Sequence, residues 1–342
     1  MADSTFDPAA HRAATEQMAK CAGLVFGFLF HDAAAIRVTD ETLGNHLAHP
    51  HDWSWLHLSL ADHRARRFLE GFAPLPAEAR ELMLGTEDRI QLHLTAEGGW
   101  GILPDIERDF ADHSLGAGRF YFWADGKHLI TARRHSLRAV ERVRRELESG
   151  DYLPPEPVNV IFLLQENFIE LVEARLAVLS GELGRFEDEV LAERNSDQSR
   201  LGPLRRELSR YVREFSGLRG AINRVTSSRY AGGIGPLVPY LAILQQDAED
   251  FDRDAGALAD RGRLLNEEIE TRIASTTNRS LSALTVISTL LLPPTFVVGA
   301  FGMNVGGIPW ASSREGFWAV LAFCALLIAV SYAVLRRFRI LP

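Results

Sequence analysis

The stretch Phe296–Trp310, FVVGAFGMNVGGIPW, ends a long apolar run with Gly302, Met303 and Asn304. None of its side chains can serve as acid, base or strong nucleophile. Its one strongly polar side chain is the amide of Asn304, a neutral oxygen and two N–H donors. Gly302, Gly306 and Gly307 frame it, and glycines let backbone turn sharply and approach closely. A plain glycine turn between two helices is the competing reading.

Upstream, the apolar run carries more hydroxyls than a lipid-facing helix needs. At about 100° per residue, Asn278, Thr285, Ser288, Leu292, Thr295 and Gly299 fall within one arc of about 100°. A bundle of such helices would present weakly polar rings along a common axis, interrupted by a leucine ring. Two alternatives stand beside that pore. Ser and Thr in membrane helices bond their own i−4 carbonyls, and small residues favour close helix packing. Pro293 and Pro294 are expected to bend or loosen the helix ahead of Thr295.

Other chemistry is sparse. All eleven histidines lie between His11 and His135. His46, His49 and His51 could offer imidazole nitrogens to zinc, but no supporting cysteine or HExxH helix accompanies them. The competing reading is surface or core histidines. Cys21 and Cys324 suit neither a disulfide framework nor a thiolate metal site. Residues 1–280 show no nucleophile–base set, phosphate loop or metal-ligand spacing, which disfavours an enzyme on a membrane anchor. The formal charge of −8 excludes a nucleic-acid partner and suits a surface that meets cations.

The elements that must position these residues are legible. Residues 281–301 and 316–335 carry no formal charge, and each is long enough as a helix to cross about 30 Å of hydrocarbon. Arg272 and Arg279 precede the first span, and Arg336, Arg337 and Arg339 follow the second. By the positive-inside rule both ends of the hairpin face the cytoplasm, and the loop 302–315 lies outside. No secretory signal is read at the N-terminus, so the large N-terminal part is expected to be cytoplasmic and the chain multi-pass in the inner membrane.

Residues 1–155 read as an α/β domain. Its strands are GLVFGFLF, SWLHLSL, RIQLHLTAE, RFYFWADG and HLITARR, with ADGKH as a hairpin turn. Residues 156–235 read as a helical hairpin turning near Gly202 and Pro203, with an apolar seam from Leu201 to Val225 spaced 3-4-3-4. A second seam begins at Leu237 and continues through Ile269. No breaker intervenes before Pro293, so stalk 236–280 and span 281–301 form one helix. Counted from Leu237 to Phe301 it has 65 residues, about 95 Å at 1.5 Å each. The second span, 316–335, and a basic tail, 336–342, complete the chain. The stalk acids Asp247, Glu249, Asp250, Asp252, Asp254, Asp260, Glu267, Glu268 and Glu270 read as a solvated face, with a cation-attracting vestibule as the rival.

The run LPPTFVVGAFGMN before a final span resembles the signature of the CorA superfamily of divalent-cation transporters. GMNVGGIPW and WSWLHLSL look more like its zinc-transporting ZntB branch than like the magnesium branch. The resemblance implies a funnel-shaped homopentamer in the lipid bilayer, with the long helix and first span lining a central pore. It places the outer selectivity ring on Gly302, Met303 and Asn304. Asn278, Leu284, Leu292 and Thr295 match pore-lining or constriction positions. Five amide oxygens can hold a hydrated divalent ion and still release it, because conduction requires leaving as well as entering. The loop departs from the magnesium branch: its only acid is Glu315, beside Arg314. The transported ion is therefore expected to be zinc, with a magnesium or cobalt channel gated by cytoplasmic ions as the alternative. Proton coupling would have to work outside the spans, which contain no Asp, Glu, His or Lys.

Overall fold

The computed structural model describes residues 16, 18, 21–32, 34–47, 51–95, 98–108, 117–150, 152–192, 200–227, 237–303 and 315–337. They divide into two compact units, Met1–Arg263 and Leu264–Pro342, each described by itself.

The first unit holds a seven-stranded sheet in the order β2-β1-β3-β7-β6-β5-β4. The strands are β1 Leu24–His31, β2 Ala34–Val38, β3 Trp53–Ser59, β4 Gln91–Leu94, β5 Gly98–Ile106, β6 Ala117–Asp125 and β7 His128–Arg133. Every neighbouring pair is antiparallel except β3 with β7. The ADGKH turn does join a hairpin, with Phe120 opposite Arg133.

Two strands escaped the alternation pattern. β2 pairs with β1 from Ala34 opposite His31 and sits at the sheet edge with Ile36 exposed. β5 contains three glycines and Pro104, residues depleted from strands. Its partner β4 reaches only as far as Ile102, so at Pro104 one side of β5 has no strand to receive the missing N–H. Gly98 and Gly101 allow the flanking strands close. A Cβ there would lie 2.1 Å from the Ala124 carbonyl oxygen and 2.3 Å from that of Gln91.

One sheet face packs Leu29, Leu56, Leu58, Ile102, Tyr121 and Ile130 against the short helices α2, His63–Gly71, and α3, Ala77–Leu84. A five-residue helix α1, Leu43–Leu47, adds Leu43 to the same core. Arg134 and Arg80 fasten the α3 region by donating to backbone carbonyls of Gly85, Leu69, Phe72 and Leu75.

WSWLHLSL is core. The β3 residues Trp53, Trp55 and His57 stack on Phe30, Phe28 and Phe26. Trp55 Nε1 donates to Thr131 Oγ1 at 2.8 Å, and His57 Nδ1 lies 2.7 Å from the same oxygen. Burial holds the His57 pKa well below its ordinary value, so this imidazole is neutral.

Helix α4, Arg138–Ser149, has Leu137 at its N-cap, which cannot cap. The buried Asp105 of β5 does so instead, accepting from Ala139 N–H at 2.9 Å and Val140 N–H at 3.2 Å.

Helices α5, Pro157–Leu191, and α6, Leu201–Thr226, run antiparallel: Phe168 meets Phe215 and Arg175 meets Glu207. Gly202 and Pro203 are not the turn between them. They occupy the first helical turn of α6, where proline's missing N–H has no partner to lose. The seam Leu201, Leu204, Leu208, Tyr211, Phe215, Leu218, Ile222 and Val225 is buried throughout.

Helix α7, Leu237–Phe301, is continuous over 65 residues with both prolines inside it. Its N-terminal part packs on α5 and α6 through Tyr240–Phe162, Phe251–Phe215 and Asp252–Arg219. Gly262 lets the stem of Arg205 approach, within 3.3 Å of where a Cβ would stand.

In the second unit, the C-terminal part of α7 is followed by α8, Gly316–Arg337. Mean hydropathy reaches 1.9 and 2.4 in the apolar windows of α7 and α8, long enough to cross a membrane.

Candidate functional site

The residues expected to line a pore occupy one side of α7. Leu284, Thr285, Ser288, Leu292, Thr295 and Gly299 are all exposed, as is Asn278. The partly covered residues are Ser282, Val286, Leu290, Pro293, Pro294, Val297 and Ala300. At about 100° per residue these two sets form separate arcs on opposite sides of the helix, with Leu281 and, at its edge, Phe296 sharing the exposed arc. The covered side is the one that α8 meets, since Cys324 Sγ lies 4.0 Å from the Pro294 carbonyl oxygen. The second span therefore leaves the weakly polar stripe open.

The threonine hydroxyls on and beside this stripe bond their own helix. Thr285 donates to Leu281 O at 2.9 Å, Thr289 to Thr285 O at 2.8 Å and Thr295 to Leu291 O at 2.7 Å. A threonine whose proton is so engaged keeps acceptor capacity on its oxygen. Toward water, or toward the water shell of a cation, it acts as an acceptor. Pro293 and Pro294 lack the N–H groups that Thr289 and Leu290 carbonyls would otherwise receive, yet the helix continues past them.

Gly302 closes the helix by donating to Val298 O at 2.9 Å, and Met303 follows, half exposed. Asn304 lies outside the described residues, as does the rest of the loop to 314.

The stalk acids are mostly engaged close to home. Asp252 meets Arg219 at 2.9 Å and Ser216 at 2.6 Å, while Glu268 meets Arg272 at 2.6 Å. Asp250 and Asp260 pair with Arg253 and Arg263 one helical turn on, and Glu249 and Glu270 accept from Gln245 and Asn266. This is the pattern of a solvated helix face. Asp247 differs, with burial and neighbouring Asp250 raising its pKa above the usual carboxylate value.

The histidine expectation shifts position. His46 Nδ1 lies 2.9 Å from its own helix, at Thr42 O, and His49 is outside the described residues. Among the described residues, the group with metal-binding geometry is His31, Asp32 and Asp52, each placing a ligand atom within 4.8 Å of the others. Sequence spacing could not reveal it, because Asp52 joins from the start of β3.

Residues 50–337 match the sequence profile of the CorA-like Mg2+ transporter proteins. The chain belongs to the CorA family. Among its relatives, the divalent cation transporter CmaX of Pseudomonas aeruginosa is 25% identical over 93% of this chain and 96% of its own length. The zinc transport protein ZntB of Pectobacterium atrosepticum is 24% identical over 80% of this chain and 83% of its own. The structure of full-length CmaX superposes with a TM-score of 0.77, covering 93% of this chain and 98% of that one. The CorA magnesium transporter of Methanocaldococcus jannaschii superposes at 0.70 with 13% identity, covering 91% and 97%. A mixed α/β unit followed by long helices, two of them membrane-length, is thus the CorA arrangement. The relatives named here are transporters, and this CorA-family member is read as a membrane transport protein, not an enzyme.

Proposed function

We propose that this chain is one protomer of a homopentameric divalent-cation transporter with zinc as its main cargo. The observation that carries the reading is the exposed stripe of α7 from Leu284 to Gly299, turned away from α8 and lined by acceptor hydroxyls. A stripe of this kind gains most from facing its own copies around an aqueous axis, because lipid offers hydroxyl oxygens nothing. In the proposed assembly Leu284 and Leu292 form apolar constrictions between polar levels at Thr285, Ser288 and Thr295, and Asn278 sits at the inner end. Gly302, Met303 and Asn304 form the outer ring, where amide oxygens hold the hydrated ion without stripping it. Both termini lie on the cytoplasmic side of the inner membrane. The domain boundaries follow the same scheme, with 1–155 and 156–235 as the cytoplasmic body, 236–280 as stalk and 302–315 as external loop.

Zinc is favoured by the ZntB relatives and by an external loop whose acid, Glu315, is offset by Arg314. A magnesium or cobalt channel is the second reading, supported by the family profile itself. Flux of zinc and magnesium into proteoliposomes, with and without an imposed pH gradient, separates them. Zinc flux exceeding magnesium flux supports the first. Equal fluxes, indifferent to the gradient, move the protein to the channel branch.

A further inference from the structure

The turn between β1 and β2 carries a ligand set that the transport path does not use. His31 ends β1, Asp32 follows it in the turn, and Asp52 reaches them from the start of β3. Asp52 is fixed there: its N–H donates to Phe30 O at 2.8 Å and its carboxylate accepts from Asp32 N–H at 3.2 Å. His31 Nδ1 lies 3.6 Å from Asp52 Oδ2, and His31 Nε2 lies 3.5 Å from Asp32 Oδ2.

Both separations exceed hydrogen-bond length. The two carboxylates stand nearest opposite nitrogens of the ring, so for one ion the Nδ1–Asp52 spacing is the matching one. All three residues offer a ligand atom within 4.8 Å of one another. Around an ion bound at about 2.0–2.2 Å in tetrahedral geometry, neighbouring ligand atoms stand about 3.4 Å apart. The state of the ring nitrogen points the same way. The Nδ1 atom of His31 is shielded from solvent and has no hydrogen-bond partner, although its ring is part-exposed. A shielded ring nitrogen that makes no hydrogen bond, facing a carboxylate 3.6 Å away, leaves room for an ion between them.

We propose that His31, Asp32 and Asp52 bind a divalent cation of the zinc, cobalt or nickel class. One imidazole nitrogen and one oxygen from each carboxylate ligate the ion, and water fills the remaining positions on the exposed side. The nitrogen sets the ion class. Magnesium and calcium take all-oxygen shells, whereas imidazole suits zinc and its neighbours in the first transition row. Two carboxylates with one imidazole offset the charge of a divalent ion. Bound metal would cross-link the β1–β2 turn to the start of β3, across 20 residues of sequence.

Equilibrium dialysis of the chelator-stripped, full-length protein in detergent tests this without any flux measurement. Zinc bound per chain is counted in excess magnesium, which saturates oxygen-only sites. His31→Ala and Asp52→Asn are each expected to bind one zinc fewer per chain than wild type. Asn at 52 keeps the acceptor for the Asp32 N–H, so the turn is preserved. His46→Ala, whose ring is engaged with its own helix, is expected to match wild type. An unchanged zinc count in both His31→Ala and Asp52→Asn overturns the proposal and leaves a histidine paired with two carboxylates. Loss of the zinc to added magnesium overturns the assigned ion class.

Discussion

Asp105 gives the sharpest stability test, because its carboxyl is fully buried and serves as the cap that α4 lacks. Burial pushes its pKa up to about 7, against the opposing pull of the Ala139, Ile106 and Val140 N–H groups and the Arg133 charge. The unfolded chain releases this proton near pH 4, so between about pH 4 and pH 7 the folded protein holds a proton that the unfolded one has lost. Stability conferred relative to a non-titrating side chain therefore falls as pH rises through that window. Three pH units at about 1.36 kcal/mol each set the total near 4 kcal/mol. About half to two-thirds of it, ~2–3 kcal/mol, falls between pH 5 and pH 7. Asp105→Asn removes the titration while retaining one oxygen acceptor for the helix. With a Tm sensitivity of about 2–4 °C per kcal/mol for a unit of this size, the wild-type Tm should fall by roughly 5–10 °C relative to the variant over those two pH units. Intrinsic tryptophan fluorescence during thermal unfolding, run on both proteins from pH 5 to 8, reads this directly. Parallel profiles would refute the reasoning. That outcome would show the carboxylate already ionised in the fold across this range, held by its backbone donors.

Arg119 meets Glu214 at 2.8 Å in a largely buried pair that ties β6 to α6. Arg119→Ala strands a buried carboxylate and should cost about 3 kcal/mol, with Arg119→Ala/Glu214→Leu recovering much of it in the same unfolding assay. Gly262→Leu pushes on Arg205 and Leu183 and should destabilise the helical seam by about 1–3 kcal/mol, leaving the sheet's tryptophan signal to report a lower Tm. Asn304→Ala should abolish cation flux in proteoliposomes while light scattering still shows the pentamer. Wild-type flux in that variant would reduce Gly302–Asn304 to a turn. A stable monomer or dimer of wild type in detergent would remove the pore reading altogether.

Local pattern carried the long elements. Apolar runs of membrane length, a seam repeating every three or four residues and the GMN-containing motif are all properties of contiguous sequence. Burial acts on such segments one helical face or one bilayer crossing at a time. The buried seam of α6 and the uninterrupted α7 follow from that. β5 does not, because its glycines and Pro104 weaken its alternation and only the register with β4 and β6 accommodates them. The same limit hid the chemistry of the first unit. Asp105 caps a helix 34 residues away, and Asp52 joins His31 from the residue just before β3. Parallel pairing of β3 with β7 brings Thr131 to Trp55 and His57. Spacing along the chain carries no trace of such contacts, because strand order, not sequence distance, decides which polar groups meet in a core. The stripe on α7 stands between these cases: its composition is a property of the helix alone. That it faces away from α8 was decided only when Cys324 packed against the Pro294 carbonyl on the opposite side.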